Sequence, residues 1–178
     1  MLAICFCNCF KAKIAHYFCY FFVNCCYVLA TPGHTHEHLS YYCKNQRLLL
    51  PGDTLFAGGC GRSCIQRYDL LYDSLVLLAT LPDDTLVFPA HEYTQDNLTF
   101  ALTIEPNNTL LQNYISHVNN LRCHGLVTLP CLLGQEKRIN PFLRCHLEII
   151  AAAVNLRPTA TAAEVFTQLR QMKDQFHA

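Results

Sequence analysis

Three side chains able to hold a cation each follow a short apolar stretch of this chain. They are His34 in Thr31-Pro32-Gly33-His34-Thr35, Asp53 in Gly52-Asp53-Thr54-Leu55-Phe56, and His91, which follows Thr85–Phe88 and the step Pro89-Ala90. Proline and glycine before His34 fix a turn, so that its imidazole projects from a strand end, and an oriented imidazole is the commonest metal ligand. A carboxylate such as Asp53 has two oxygens with which to bridge cations about 3.5–4 Å apart. Any one of the three alone reads as an ordinary turn residue. Three such residues at successive strand ends, in the order His, Asp, His, are hard to explain as turns alone.

The elements that carry them are legible from periodicity. Tyr41-Tyr42-Cys43-Lys44-Asn45-Gln46-Arg47-Leu48-Leu49-Leu50 is rich in strand formers and runs into the Pro51-Gly52 turn, and a glycine-rich loop occupies 57–61. Residues 68–81 are too densely apolar for an exposed helix and stop before Pro82, which predicts a helix packed on a sheet. Thr85–Phe88 is a short strand, and Asp96–Ile104 a helix ending before Pro106. Beyond Thr109 the pattern turns helical. Leu110, Leu111, Tyr114, Ile115, Val118 and Leu121 mark the buried face of a helix over about 109–123, with Gly125 at its stop. A further helix is predicted around 143–155. The last begins at a capping box, Thr161 to Glu164, and buries Val165, Phe166, Leu169 and Met172.

At 178 residues the chain is long enough for one layered domain with a helical appendage. Thirteen basic and thirteen acidic residues and a pI near 7.1 offer no general attraction for nucleic acid or an anionic membrane, so an anionic substrate must be held by local charge. Twelve cysteines suggest a disulfide scaffold, but 52% hydrophobic content and clear helical periodicity favour reduced, buried thiols in a cytoplasmic protein. Six of those cysteines crowd into residues 1–26, an atypical apolar segment whose boundary falls near residue 27. Ile14–Ala30 reaches only the short limit of a membrane span and carries His16 and Asn24, so one or two buried strands are the preferred reading.

The words Thr-Pro-Gly-His-Thr at 31–35, Gly-Asp-Thr-Leu-Phe at 52–56, Gly-Cys-Gly-Arg at 59–62, His-Glu-Tyr-Thr at 91–94 and Asn-Pro-Phe-Leu-Arg at 140–144 together resemble the glyoxalase II (hydroxyacylglutathione hydrolase) branch of the metallo-β-lactamase superfamily. The resemblance covers roughly residues 27–176. It implies an α/β fold, the second half of a metallo-β-lactamase-type αββα sandwich, over 27–107. A helical substrate-binding domain over 108–178 would follow. It implies two divalent metal ions, zinc first with iron or manganese as alternatives. His34 would bind one ion, His91 the other, and Asp53 would bridge them as the catalytic carboxylate. The implied reaction is hydrolysis of a glutathione thioester, S-lactoylglutathione, to lactate and glutathione, a step of methylglyoxal detoxification. Arg62, Tyr93, Arg170 and Lys173 would hold the glutathione moiety.

Two departures from the family pattern bear on that implication. Relatives carry a Thr-His-x-His-x-Asp-His motif upstream, whereas residues 1–30 hold one histidine, His16, and no aspartate or glutamate. Three family ligands are therefore expected, and slow turnover with them. His36 and His38 are expected as a surface residue and a supporting or packing residue. After Arg62, an aromatic followed by Glu-Gly-Thr is replaced by Ser63-Cys64-Ile65-Gln66. Half a sandwich also implies an open apolar sheet face, available for association with a partner. The rival readings are an inactive glutathione-binding or interaction protein and a fragment without function of its own.

Overall fold

The computed structural model describes residues 26–176. A mixed five-stranded sheet is ordered β1-β2-β3-β6-β7, with β1 Cys26–Ala30, β2 Leu39–Cys43, β3 Leu48–Leu50, β6 Leu86–Val87 and β7 Cys131–Leu132. A separate hairpin, β4 Leu55–Phe56 and β5 Gly59–Cys60, hangs from the end of β3. The helices are α1 Tyr68–Ala79, α2 Thr94–Ile104, α3 Thr109–Cys123, α4 Leu133–Ile139, α5 Glu148–Ala153 and α6 Ala162–Gln175.

Strand direction brings the ligand-type residues together. β2 is antiparallel to both β1 and β3, and β3 is parallel to β6, so β1, β3 and β6 run the same way. The turns leaving them, which bear His34, Asp53 and His91, therefore emerge at one edge of the sheet. Carboxyl ends of like-directed strands are where open α/β sheets place their ligands.

One face of the sheet, carrying Tyr42, Leu49, Val87 and Cys131, is buried against Leu71, Leu75 and Leu78 of α1. The same core continues into Phe142, Ile150, Val165, Phe166 and Leu169, so the helical part packs on the sheet's own core. β7 lies within the predicted helical part and pairs with β6. A second cluster, Leu98, Ala101, Leu111, Tyr114, Val118 and Ile139, joins α2, α3 and α4. On the opposite sheet face the register aligns Val28 with Tyr41 and Leu50, and Leu48 with Leu86 and Leu132. That face is apolar and open, with Val28 59% and Leu132 44% exposed.

Several local expectations change. The helix predicted over 143–155 shrinks to Glu148–Ala153, preceded by a 3-10 turn at Pro141–Leu143. Asn140 caps that turn on Phe142, and the Arg144 guanidinium forks onto buried Glu105 at 2.9 and 2.8 Å, so the chain turns before α5 begins. Leu110 points to solvent because the buried stripe of α3 runs through Leu111, Tyr114 and Val118, which recur at steps of three and four. The capping box at Thr161 and Glu164 forms in both directions.

The expectation of reduced, buried thiols fails at one pair. Cys26 and Cys43 stand opposite each other in the β1–β2 register and form a disulfide. Cys60, Cys131 and Cys145 are free and buried, and Cys64 and Cys123 are free and exposed. The strands and the span considered within residues 1–25 lie outside the described residues. Among the described residues no helix is long and apolar enough to cross a membrane.

Candidate active site

Asp53 is held from its backbone outward. Gly52 adopts φ +55, and a Cβ there would press into the His38 ring at 2.7 Å, so only glycine lets the chain pass this close. The His38 Nε2 accepts from the Asp53 amide at 3.1 Å, which obliges Nδ1 to carry the ring proton. Nδ1 then donates to the hydroxyls of Thr31 at 2.9 Å and Thr54 at 3.1 Å. Burial first, and then neighbouring His34, lower the His38 pKa, in keeping with a neutral ring that positions Asp53 and is itself fully used. Exposed His36 has no such role.

His34 sits in the turn after β1, where the Pro32 carbonyl is anchored to α1 by the Ser74 hydroxyl at 2.6 Å. Its Nδ1 lies 2.9 Å from the Arg62 carbonyl. A carbonyl only accepts, so Nδ1 carries the proton and Nε2 keeps a free lone pair. That lone pair faces Asp53 Oδ2 at 4.0 Å, while the other oxygen, Oδ1, faces His91 Nε2 at 3.4 Å. Main-chain bonds from Ala90 to the Gly52 carbonyl and from Phe88 to the Leu49 carbonyl set the His91 turn beside Asp53. The His91 ring stacks on Tyr93 with centroids 5.2 Å apart, and Phe56 meets the edge of Tyr93.

The three predicted ligands thus meet pairwise around one carboxylate. Among the described residues no three histidine, cysteine, aspartate or glutamate side chains converge on a single ion position. Two donors on one tetrahedral ion, each about 2.0–2.1 Å from it, stand about 3.3–3.4 Å apart. The His91–Asp53 separation matches that edge, and the His34–Asp53 separation exceeds it by roughly half an ångström. The donor chemistry, neutral imidazole and carboxylate, suits zinc, iron or manganese. Each ion of a bridged pair would take two donors from these residues.

The substrate-side residues divide. Arg62 is largely exposed, with Nε 3.7 Å from Asp174, and Tyr93 is half exposed. Lys173 is half-buried, with Nζ donating to the Asp96 carbonyl at 3.1 Å between the Phe100 and Phe176 rings. Burial, and then the nearby Arg170 charge, lower its pKa. Arg170 is placed differently from the other three. It is 3% exposed, and its guanidinium donates to the Cys60 carbonyl at 3.0 Å and to Asp174 at 3.1 Å, so it offers no charge to solvent and instead holds the glycine-rich loop. Cys64, at the position of the replaced aromatic, is exposed with its Sγ 3.8 Å from His34 Nδ1. Sequence reasoning passed over two residues, Asp174, inside the 173–176 word Lys-Asp-Gln-Phe, and Glu136, an unremarkable acid four residues before Asn140.

Comparison with known proteins gives the chain its relatives. A family model for the metallo-β-lactamase superfamily matches residues 21–91, and one for the hydroxyacylglutathione hydrolase C-terminus matches 92–176. The hydroxyacylglutathione hydrolase of Rhodopseudomonas palustris strain BisB18 is 48% identical over 147 residues, covering 83% of this chain and 57% of that protein. The Psychromonas ingrahamii protein of the same name is 44% identical over 155 residues, covering 84% and 59%. The chain therefore spans a little over half the length of the curated relatives it matches. Among solved structures, ETHE1 from Myxococcus xanthus aligns with a TM-score of 0.48 and 27% identity, covering 82% of this chain and 44% of that one. With the two family models meeting between His91 and Glu92, this chain belongs to the glyoxalase II (hydroxyacylglutathione hydrolase) family of the metallo-β-lactamase superfamily, as a mixed α/β domain with a helical C-terminal part.

Proposed function

We propose that the chain carries the second half of a metal-dependent glutathione-thioester hydrolase site, acting on S-lactoylglutathione or a close 2-hydroxyacyl analogue. The observation that carries this reading is the Asp53 carboxylate, with one oxygen toward the free lone pair of His34 and the other toward His91. His34 and His91 would each hold one ion, and Asp53 would be shared between them. Bound divalent ions would supply an acidified water and offset the charge that develops on the thioester oxygen.

The remaining work falls to the chain's own groups. The Arg62 carbonyl keeps the His34 proton on Nδ1, so the lone pair on Nε2 stays available. Neutral His38 fixes the Asp53 backbone. Arg62 and Lys173 supply the positive charge that a glutathione carboxylate needs, and Tyr93, stacked on His91, offers a hydrogen-bond donor. Arg170 acts through the Cys60 carbonyl to position Arg62. The reaction breaks the C–S bond by addition of water, and the departing thiolate takes up a proton.

Zinc loading followed by elemental analysis tests the assignment, with S-lactoylglutathione turnover measured beside it. Bound zinc lost in both His34→Ala and Asp53→Ala is the expected result. Zinc retained at full stoichiometry in Asp53→Ala would remove Asp53 from the site.

A further inference from the structure

Glu136 is a fully buried acid that the proposed chemistry does not use. Its Oε2 accepts from the Gly58 amide at 2.8 Å and from the Asn140 side chain at 3.0 Å. The same Asn140 amide nitrogen donates to the Gly59 carbonyl at 3.0 Å and to the Phe56 carbonyl at 3.3 Å, and Asn97 donates to the Ala57 carbonyl at 3.1 Å. These residues are the turn of the β4–β5 hairpin. One arm of that hairpin begins just after Asp53. The other leads through Cys60, whose carbonyl holds Arg170, to Arg62, whose carbonyl takes the His34 proton.

We propose that Glu136 is a positioning residue for the active site: its carboxylate, clamped with Asn140 on the β4–β5 turn, sets the relative placement of Asp53 and Arg62. The proposal rests on the thioesterase reading only in what the site is for, since the clamp is visible without it. A simple core role would be served by an apolar side chain at far smaller desolvation cost. The ionisable groups facing the carboxylate are Tyr114 of α3 and Cys131 of β7, both kept protonated mainly by burial, and among the described residues no cation pairs with it. Its Oε1 has no hydrogen-bond partner. The charge is therefore spent on neutral donors, the Gly58 amide and the Asn140 side chain first, with the Cys131 thiol a further contact. Ionisation tightens that grip, because a bond to a charged acceptor is roughly twice as strong as one to a neutral acceptor. The hairpin thus senses the proton on Glu136.

The test uses the full chain, with S-methylglutathione as the probe and uniform ¹⁵N labelling. In the wild type the Gly58 amide shift titrates with a midpoint near the Glu136 pKa of about 7. In Glu136→Gln that inflection disappears, while probe affinity stays within about threefold, because one amide oxygen still accepts from both donors. In Glu136→Leu the amides of Asp53 and Arg62 move and probe affinity falls about 10-fold or more, the scale of losing a supporting contact. A Gly58 amide that does not titrate, or that titrates equally in Glu136→Gln, overturns the proposal. So does a folded Glu136→Leu chain with unmoved Asp53 and Arg62 amides. Should Glu136→Leu fail to fold, the Gly58 titration in the other two chains decides. Absence of S-methylglutathione binding by the wild type would count against the glutathione reading, while the amide shifts still judge the clamp.

Discussion

Replacing Glu136 by glutamine separates the cost of its charge from the value of its bonds. Burial lifts this carboxyl from 4.5 to about 7, against the opposing pull of the Gly58, Asn140 and Cys131 contacts. A raised folded-state pKa means that the folded chain holds the proton more tightly than the unfolded chain. The stability tied to that proton is complete below the unfolded value of 4.5 and is lost as the pH climbs through 7. At 1.36 kcal/mol per unit the loss amounts to about 3 kcal/mol above neutrality. Glutamine never ionises, but its –NH₂ takes the place of Oε1, where nothing accepts, at a cost of about 1–2 kcal/mol at every pH. Glu136→Gln is therefore less stable than wild type by about 1–2 kcal/mol near pH 4.5, and more stable by a similar amount at pH 8. The curves cross between about pH 5 and 6. Urea unfolding of both chains in chelator at half-unit pH intervals reads this directly. A stability difference that stays constant across the range would refute the reasoning, since it would mean that Glu136 does not titrate between those limits.

Other perturbations follow from the same contacts. Arg170→Ala should cost about 1–3 kcal/mol in urea unfolding, because it leaves the buried Cys60 carbonyl without its donor and part-exposed Asp174 without its nearer cation, whereas Lys173→Ala should act mainly on glutathione affinity. Comparable losses of stability in the two variants would contradict the division drawn between them. Thr161→Ala removes a capping box and should lower stability by about 1 kcal/mol without touching zinc content. Turnover of S-lactoylglutathione by the zinc-loaded chain should lie well below that of a relative bearing the upstream Thr-His-x-His-x-Asp-His motif, since two donors per ion leave half of a four-coordinate shell to be found elsewhere. Turnover equal to that of such a relative, abolished in Asp53→Ala, would mean that this chain completes the shell in a way these residues do not reveal.

Much of this protein was readable from the chain alone, because the signals are local. Strand formers ending in Pro-Gly turns announced His34 and Asp53, the three-and-four spacing announced α3, and Thr161 with Glu164 announced the start of α6. What needed the tertiary structure was whatever depends on partners distant in sequence. The proline and asparagine at 140–141 and the reach of Arg144 to Glu105 cut a predicted helix to six residues. The disulfide came from a register that sets Cys26 against Cys43. Arg170 and Lys173 are three apart on one helix and look alike in sequence, yet packing buries one on a carbonyl 110 residues away and leaves the other half-open. Glu136 carried no local mark at all. Its role exists only because folding brings it to a hairpin 78 residues earlier, where burial in low dielectric gives a single unpaired charge its weight.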